Sequence, residues 1–154
     1  KTISKNSQKT LAKVSKKKSK FEPGDFNLKP KRSSAGIGLF TFSPIPKGVC
    51  IIEYFGRVIS PEEEYTSNSK YLFEINSKTT IDGTIKTNIA RYINHSCRPN
   101  AEPEIRKGRV YIMSKRSIKE GEEITYDYGK EYWNHHIKPY GCKCPKCTEA
   151  RKNI

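Results

Sequence analysis

The chain has 154 residues, enough for one domain or one domain with a tail, and carries 30 Lys and Arg against 16 Asp and Glu, a net charge of +14. No apolar run approaches the roughly 18 residues of a membrane-spanning helix, and the basic N-terminus is not followed by the apolar stretch of a secretory signal. The composition therefore sets aside membrane and secreted classes and leaves an intracellular protein as the expectation.

Residues 1–20 hold eight lysines and no acid, so +14 less +8 leaves +6 for the other 134 residues. This block lacks aromatics and cannot bury enough surface to offset the entropy of ordering. A basic flexible tail is expected over residues 1–24, drawn to polyanions and open to non-specific nucleic-acid contact through residues 1–20. "FEPGDFNLKPKRSSAGIG" reads as an irregular lead-in, and "GLFTFSPIPKG" as a short apolar run ending in a Pro/Gly turn. "VCIIEYFGRVI" is rich in β-branched and aromatic residues and predicts a strand broken near Gly56. Ser60 as N-cap, Pro61 at the first helical position and acids behind them predict a short helix. "KYLFEI" and "TTID" predict strands, and "TNIARYINH" one or two helical turns capped by Thr87 or Asn88. "AEPEIRKGRVYIMSKRSI" predicts a hairpin turning at Lys107–Gly108, and "KEGEEITYDYG" a turn and a strand. The sum is mainly β, a β-rich α+β fold of short strands with small helical insertions.

Five cysteines, Cys50, Cys97, Cys142, Cys144 and Cys147, form an odd set, three of them within "CKCPKC". Such close neighbours pair awkwardly as disulfides, so metal binding in a reducing compartment is the better reading. C-x-C-x2-C supplies three thiolates, and structural zinc takes four ligands. The fourth is to be sought among Cys97, Cys50, His135 and His136. Cys97, after a polar turn, is the best candidate, whereas Cys50 in "GVCIIEY" reads as a small buried hydrophobe. His95 and Cys97 do not read as a nucleophilic pair: two residues apart, their shared backbone limits alignment, and no third orienting group is evident. Tyr126 and Tyr128, at i and i+2, share one face of a strand.

Together "GIGLF", "IIEYFG", "RYINHSCRPNA", "GEEITYDYG" and the "CKCPKC" tail resemble, in order and spacing, the SET-domain family of protein lysine methyltransferases with its post-SET segment. The resemblance covers roughly residues 30 to 150. It implies a SET-domain fold of short curved sheets with a knot-like C-terminal threading, a SET domain over 25–130 and a zinc-binding post-SET segment over 131–154. It also implies S-adenosyl-L-methionine as cofactor, held by the backbone at Ile37 and Gly38 and by Asn94 and His95, with Tyr54 and Arg91 near the same pocket. Trp133 lies where the family often sets an aromatic over the adenine; packing of the tail is the other reading. Structural Zn2+ is implied on Cys97, Cys142, Cys144 and Cys147, although the family spacing is commonly C-x-C-x4-C. On this reading His95 and Cys97 serve two different sites.

The resemblance makes Tyr128 the catalytic tyrosine, orienting the substrate amine, with Tyr126 beside it. A second hydroxyl at Tyr126 leaves less room for a methylated amine, so mainly monomethylation, reaching dimethylation, is expected. Tyr71 is either a channel residue or packing. The implied partner is a protein with an accessible lysine, a histone or another basic DNA-associated protein. The location is then the nucleus and chromatin in a eukaryote, or the cytoplasm, nucleoid or an exported effector's target in a bacterium. The competing readings are a catalytically idle module and a small zinc protein that binds nucleic acid through the tail. Neither explains Asn94, His95 and Tyr128 standing together in the motifs.

Overall fold

Glycine or proline interrupts nearly every apolar run, so strands of two to six residues form and pack as three small sheets. The computed structural model describes residues 18–153. One sheet has the order β1 (Leu28–Ser33), β2 (Gly36–Thr41), β10 (Glu123–Tyr126), β7 (Asn94–His95). The second is β3 (Cys50–Tyr54), β9 (Arg109–Ser114), β8 (Ala101–Arg106), and the third β4 (Arg57–Ile59), β6 (Thr79–Asp82), β5 (Leu72–Asn76). This mostly-strand architecture, with small helical insertions, is the β-rich α+β class expected above.

The break at Gly56 divides β3 from β4 and sends them to different sheets. Only glycine fits there, since a Cβ would stand 1.9 Å from the Asp82 carbonyl oxygen. Helix α1 (Pro61–Thr66) starts as the sequence indicates: the Glu63 N–H donates to Ser60 Oγ at 3.3 Å, and Pro61 occupies the first turn. The β8–β9 hairpin turns at Lys107 and Gly108, with φ of 50° and 75°. Two successive left-handed residues give the tight turn whose twist suits a hairpin.

The lead-in expected to be irregular is instead a hairpin. Leu28–Ser33 pairs antiparallel with Gly36–Thr41 over six residues. No alternation betrays it, because β1 is a sheet edge with Lys29 and Lys31 exposed, and an edge is where Pro30 is tolerated. The lysine ammoniums lie over Phe42 and Phe40, at 5.5 and 5.2 Å from the ring centroids. Within the expected tail, Phe21 packs on Tyr111 and the Gly24 N–H donates to the Cys50 carbonyl at 3.0 Å. Residues 1–17, most of that tail, lie outside the described residues.

The sheets close on one apolar core in which Leu39, Ile45, Ile51, Ile112, Ile118 and Ile124 are at most 1% exposed. Each such side chain contributes about 1.5–3 kcal/mol by burial. Two short segments pair against this core. β7 lies parallel to β10, with Asn94 opposite Thr125 and His95 opposite Tyr126. The Ser96 N–H continues the ladder to the Tyr126 carbonyl at 3.1 Å. Asn100, 3% exposed, accepts from the Thr125 N–H at 2.9 Å and donates to the Glu123 carbonyl at 2.7 Å.

After β10 the chain turns helical: α2 (Lys130–Tyr132), a π turn over Trp133–Ile137 and a 3-10 turn over Lys138–Tyr140. Helix α3 (Pro145–Lys152) closes the described chain, and no helix of the described residues is long and apolar enough to cross a membrane. Asn100→Ala orphans two backbone groups of a buried strand, at about 1–3 kcal/mol each. Denaturant titration is expected to show a loss of about 2–4 kcal/mol.

Candidate active site and metal centre

β10 delivers Tyr126 to the core, and Tyr128 follows two residues on, their ring centroids 5.0 Å apart. Both polar ends of Tyr128 are fixed by the neighbouring thread. Its hydroxyl donates to the Ile93 carbonyl, and its N–H donates to His95 Nδ1 at 3.0 Å. Tyr54 donates its hydroxyl to the Tyr71 carbonyl at 2.7 Å. Phe73 lies between Tyr54 and Tyr126, with centroids at 5.5 and 6.5 Å. Tyr126 is 7% exposed. Burial, with added repulsion from neighbouring phenols, pushes the Tyr54, Tyr126 and Tyr128 hydroxyls well above the ordinary tyrosine range. All three are neutral at any physiological pH.

Two cavities meet at this cluster. The smaller, about 300 Å3, is bordered by Asn94, His95, Tyr128, Tyr132, Tyr140 and the cysteine-rich turn. The larger is a groove of about 940 Å3 bordered by Tyr54, Tyr71, Phe73, Arg91, Tyr126 and Tyr128. Tyr128, Tyr132 and His136 belong to both walls. Glu64, Glu74 and Glu131 also face the groove, and Glu64 is held in place by the Thr80 hydroxyl at 2.7 Å. Lys70, Arg91 and Lys130 border the groove as well, so its charges balance: a polar-and-aromatic chamber and a mixed-charge groove are joined across neutral phenols.

The residues singled out from the sequence divide between these walls. Asn94 and His95 border the smaller cavity. Ile37 and Gly38 stand behind it: the Ile37 carbonyl accepts from Asn94 Nδ2 at 3.1 Å, and Glu123 Oε1 accepts from the same amide at 2.9 Å. A Cβ on Gly38 would meet Glu123 Oε1 at 2.1 Å, so the glycine keeps this cradle intact. Tyr54 and Arg91, expected beside the cofactor, border the groove instead. Arg91 donates to the Thr84 carbonyl and to the Tyr92 hydroxyl, each at 2.6 Å. The phenol at Tyr92 thereby has its partner.

Trp133 borders neither cavity, and its Nε1 is buried without a partner. Tyr132 and Tyr140, which the sequence did not single out, supply the aromatic wall. The signal was the helical spacing: Tyr132 and His136 are i and i+4, share a face, and stack at 4.7 Å. Trp133 is turned away by one residue's rotation. His95 and Cys97, expected in separate sites, touch: Nε2 lies 3.4 Å from the sulfur.

Cys97, Cys142, Cys144 and Cys147 converge, with all four sulfurs within 4.8 Å of one another. Cys97 is 3.8 Å from Cys142 and 3.7 Å from Cys147. A tetrahedral zinc with Zn–S bonds of about 2.3 Å sets its sulfurs about 3.8 Å apart, so the cluster fits structural zinc despite the short C-x-C-x2-C spacing. Cys50 stays buried in β3, and His135 and His136 lie outside the cluster. The Ser34 hydroxyl donates to the Lys143 carbonyl at 2.9 Å, tying the cysteine turn to the β1–β2 hairpin.

Residues 36–129 match the SET domain family. Histone-lysine N-methyltransferase trr of Drosophila melanogaster is 38% identical over 127 residues, 74% of this chain and 5% of that protein. Histone-lysine N-methyltransferase set1 of Dictyostelium discoideum is 37% identical over 156 residues, 92% of this chain and 10% of that protein. The crystal structure of KRYPTONITE in complex with mCHH DNA, H3(1-15) peptide and SAH superposes with a TM-score of 0.59 at 36% identity. That match covers 68% of this chain and 24% of that one. The chain thus spans no more than a tenth of these two relatives' length.

Metal analysis is expected to return one zinc for the four-thiolate cluster. Cys97→Ser lowers zinc affinity at least about tenfold in a chelator competition, whereas Cys50→Ser leaves it unchanged.

Proposed function

The chain belongs to the SET-domain family, and from that premise we propose that it is an S-adenosylmethionine-dependent protein-lysine N-methyltransferase acting on a histone or another basic DNA-associated protein. The observation that carries this reading is the place of Tyr128 on the wall shared by the two cavities. The smaller chamber suits the methyl donor. Tyr132 and Tyr140 offer faces to a flat base, and the Asn94 amide, braced by the Ile37 carbonyl and Glu123, offers a polar end to an amino acid. When bound, S-adenosylmethionine supplies an electrophilic methyl carbon.

The groove suits the protein substrate. Its wall offers both signs of charge, Glu64, Glu74 and Glu131 beside Lys70, Arg91 and Lys130, while Tyr54, Tyr71 and Phe73 lead toward Tyr126 and Tyr128. A free lysine has a pKa near about 10.4 and must lose a proton before it attacks. Passage between aromatic walls strips water from the ammonium and favours the neutral amine, whose proton leaves to solvent water at the open end of the groove. Tyr128 does not take that proton as a phenolate, because burial holds its hydroxyl neutral. Instead its O–H is committed to the Ile93 carbonyl, leaving oxygen lone pairs to accept an amine N–H and aim the nitrogen at the chamber. Orientation of this kind is the main source of acceleration.

Tyr126 sets the product. Its hydroxyl, on the groove wall, holds a water or the amine itself and narrows the space for added methyl groups. Mainly monomethylation, reaching dimethylation, follows. In domain terms, residues 25–130 form the catalytic part and 131–154 a zinc-fastened wall of both cavities. A substrate at chromatin, or at a nucleoid, agrees with the lysine-rich residues 1–20 and with the histone-lysine N-methyltransferases that the chain resembles.

Labelled-methyl transfer from S-adenosylmethionine to histones and other basic proteins tests the proposal. No transfer together with no cofactor binding by calorimetry overturns it. Tyr128→Phe is expected to lower transfer at least about 100-fold while still unfolding cooperatively, its stability reduced by about 1–3 kcal/mol for the orphaned Ile93 carbonyl. Tyr126→Phe is expected to move product mass spectra toward trimethyl-lysine, and unchanged spectra would contradict the assignment.

A further inference from the structure

His95 stands between the two centres, on the wall of the smaller cavity and two residues before a cluster cysteine. Its side chain is 7% exposed, so its ring nitrogens must find partners inside the protein. Nδ1 accepts the Tyr128 N–H at 3.0 Å. A ring nitrogen that accepts carries no proton, so in the neutral imidazole the proton is on Nε2. That nitrogen lies 3.4 Å from Cys97 Sγ, within reach of an N–H to sulfur hydrogen bond. The Asp127 carboxylate is 3.7 Å from Nδ1, the nitrogen already taken, and so does not compete for the Nε2 proton.

We infer that His95 is a positioning residue joining the zinc centre to the catalytic tyrosine: its Nε2–H donates to the Cys97 sulfur while its Nδ1 holds the Tyr128 amide. The inference rests on the four-thiolate reading of the cluster and on the role given to Tyr128. A donor to a ligating thiolate fixes the sulfur's direction and tunes its charge, and partners of this kind are worth about 10–100-fold in metal affinity. The coupling also runs the other way. Metal on Cys97 holds the imidazole, the imidazole holds the Tyr128 backbone, and the Ile93 carbonyl holds the Tyr128 hydroxyl. Metal loading therefore bears on the backbone end of the tyrosine, while Ile93 holds its hydroxyl end independently. Mere packing would not need this arrangement, since the ring edge lies on Tyr128 at 5.5 Å between centroids, a contact phenylalanine would keep.

The test uses the full chain with NMR-active cadmium in place of zinc. Cadmium uptake is measured first and reports on the four-thiolate reading alone; a chain that takes up none overturns that reading and this inference together. With metal bound, His95 is expected as the Nε2–H tautomer, its ring proton coupled to cadmium through the sulfur. The Nδ1–H tautomer, or an uncoupled and freely exchanging Nε2 proton, would overturn the bridge while leaving the metal site and the methyl-transfer reading standing. In chelator competition His95→Phe is expected to lose about 10–100-fold in zinc affinity, and His95→Gln to recover part through its amide donor. Glu120→Gln, on an exposed turn away from both cavities and the sulfurs, stays within about twofold. A folded His95→Phe that binds zinc as tightly as the native chain would likewise reject the bridge, and should that variant not fold, the cadmium spectrum of the native chain decides.

Discussion

Everything chemical in this protein hangs on the interlock between residues 93–100 and 123–128. Neither segment is a substantial strand: β7 has two residues and β10 four. Their hold on each other comes from side chains that complete what the short ladder leaves unpaired. Asn100 takes both a donor and an acceptor from β10, Asn94 takes Glu123, and His95 takes the Tyr128 amide. A buried backbone group left without a partner costs about as much as several surface contacts return, so these few residues are tightly specified. The interlock places the smaller cavity, the groove and the sulfur of Cys97 within one short stretch of chain.

That economy explains why the motifs were readable. "NHSCRPN" and "EEITYDYG" are dense because nearly every position touches the other segment or a cavity. The strand breaks at Gly56 and Lys107–Gly108, the Ser60 cap and the cysteine cluster were legible for the same reason: each is imposed by local chemistry. Asn100, by contrast, carried no visible signal, because an asparagine after Pro99 reads as an ordinary turn former. β1 escaped notice because its apolar face is made by Phe40 and Phe42 of its neighbour beneath lysine stems, rather than by its own alternation.

Partners that depend on three-dimensional direction were the least legible. Tyr132 and Trp133 are adjacent aromatics, and only the helical turn after Gly129 decides which one faces the cavity. Tyr54 and Arg91 lie near the expected pocket in sequence motifs but open onto the groove. The His95–Cys97 contact was hidden because an extended backbone ordinarily spaces such side chains apart, whereas here the chain turns after β7 and brings Nε2 to the sulfur. In each case the residue type was informative and the orientation was not.

If the interlock is the controlling constraint, it should open only when the whole domain does. Native-state hydrogen exchange of the Ser96, Thr125 and Tyr128 amides, with the Ile112 amide of β9 for comparison, tests this most directly. All four are expected to exchange with the same free energy and the same denaturant dependence, that of global unfolding. Exchange of Ser96, Thr125 and Tyr128 through a local opening, while Ile112 stays protected, would contradict the account and make the thread an accessory laid over a fold that stands without it.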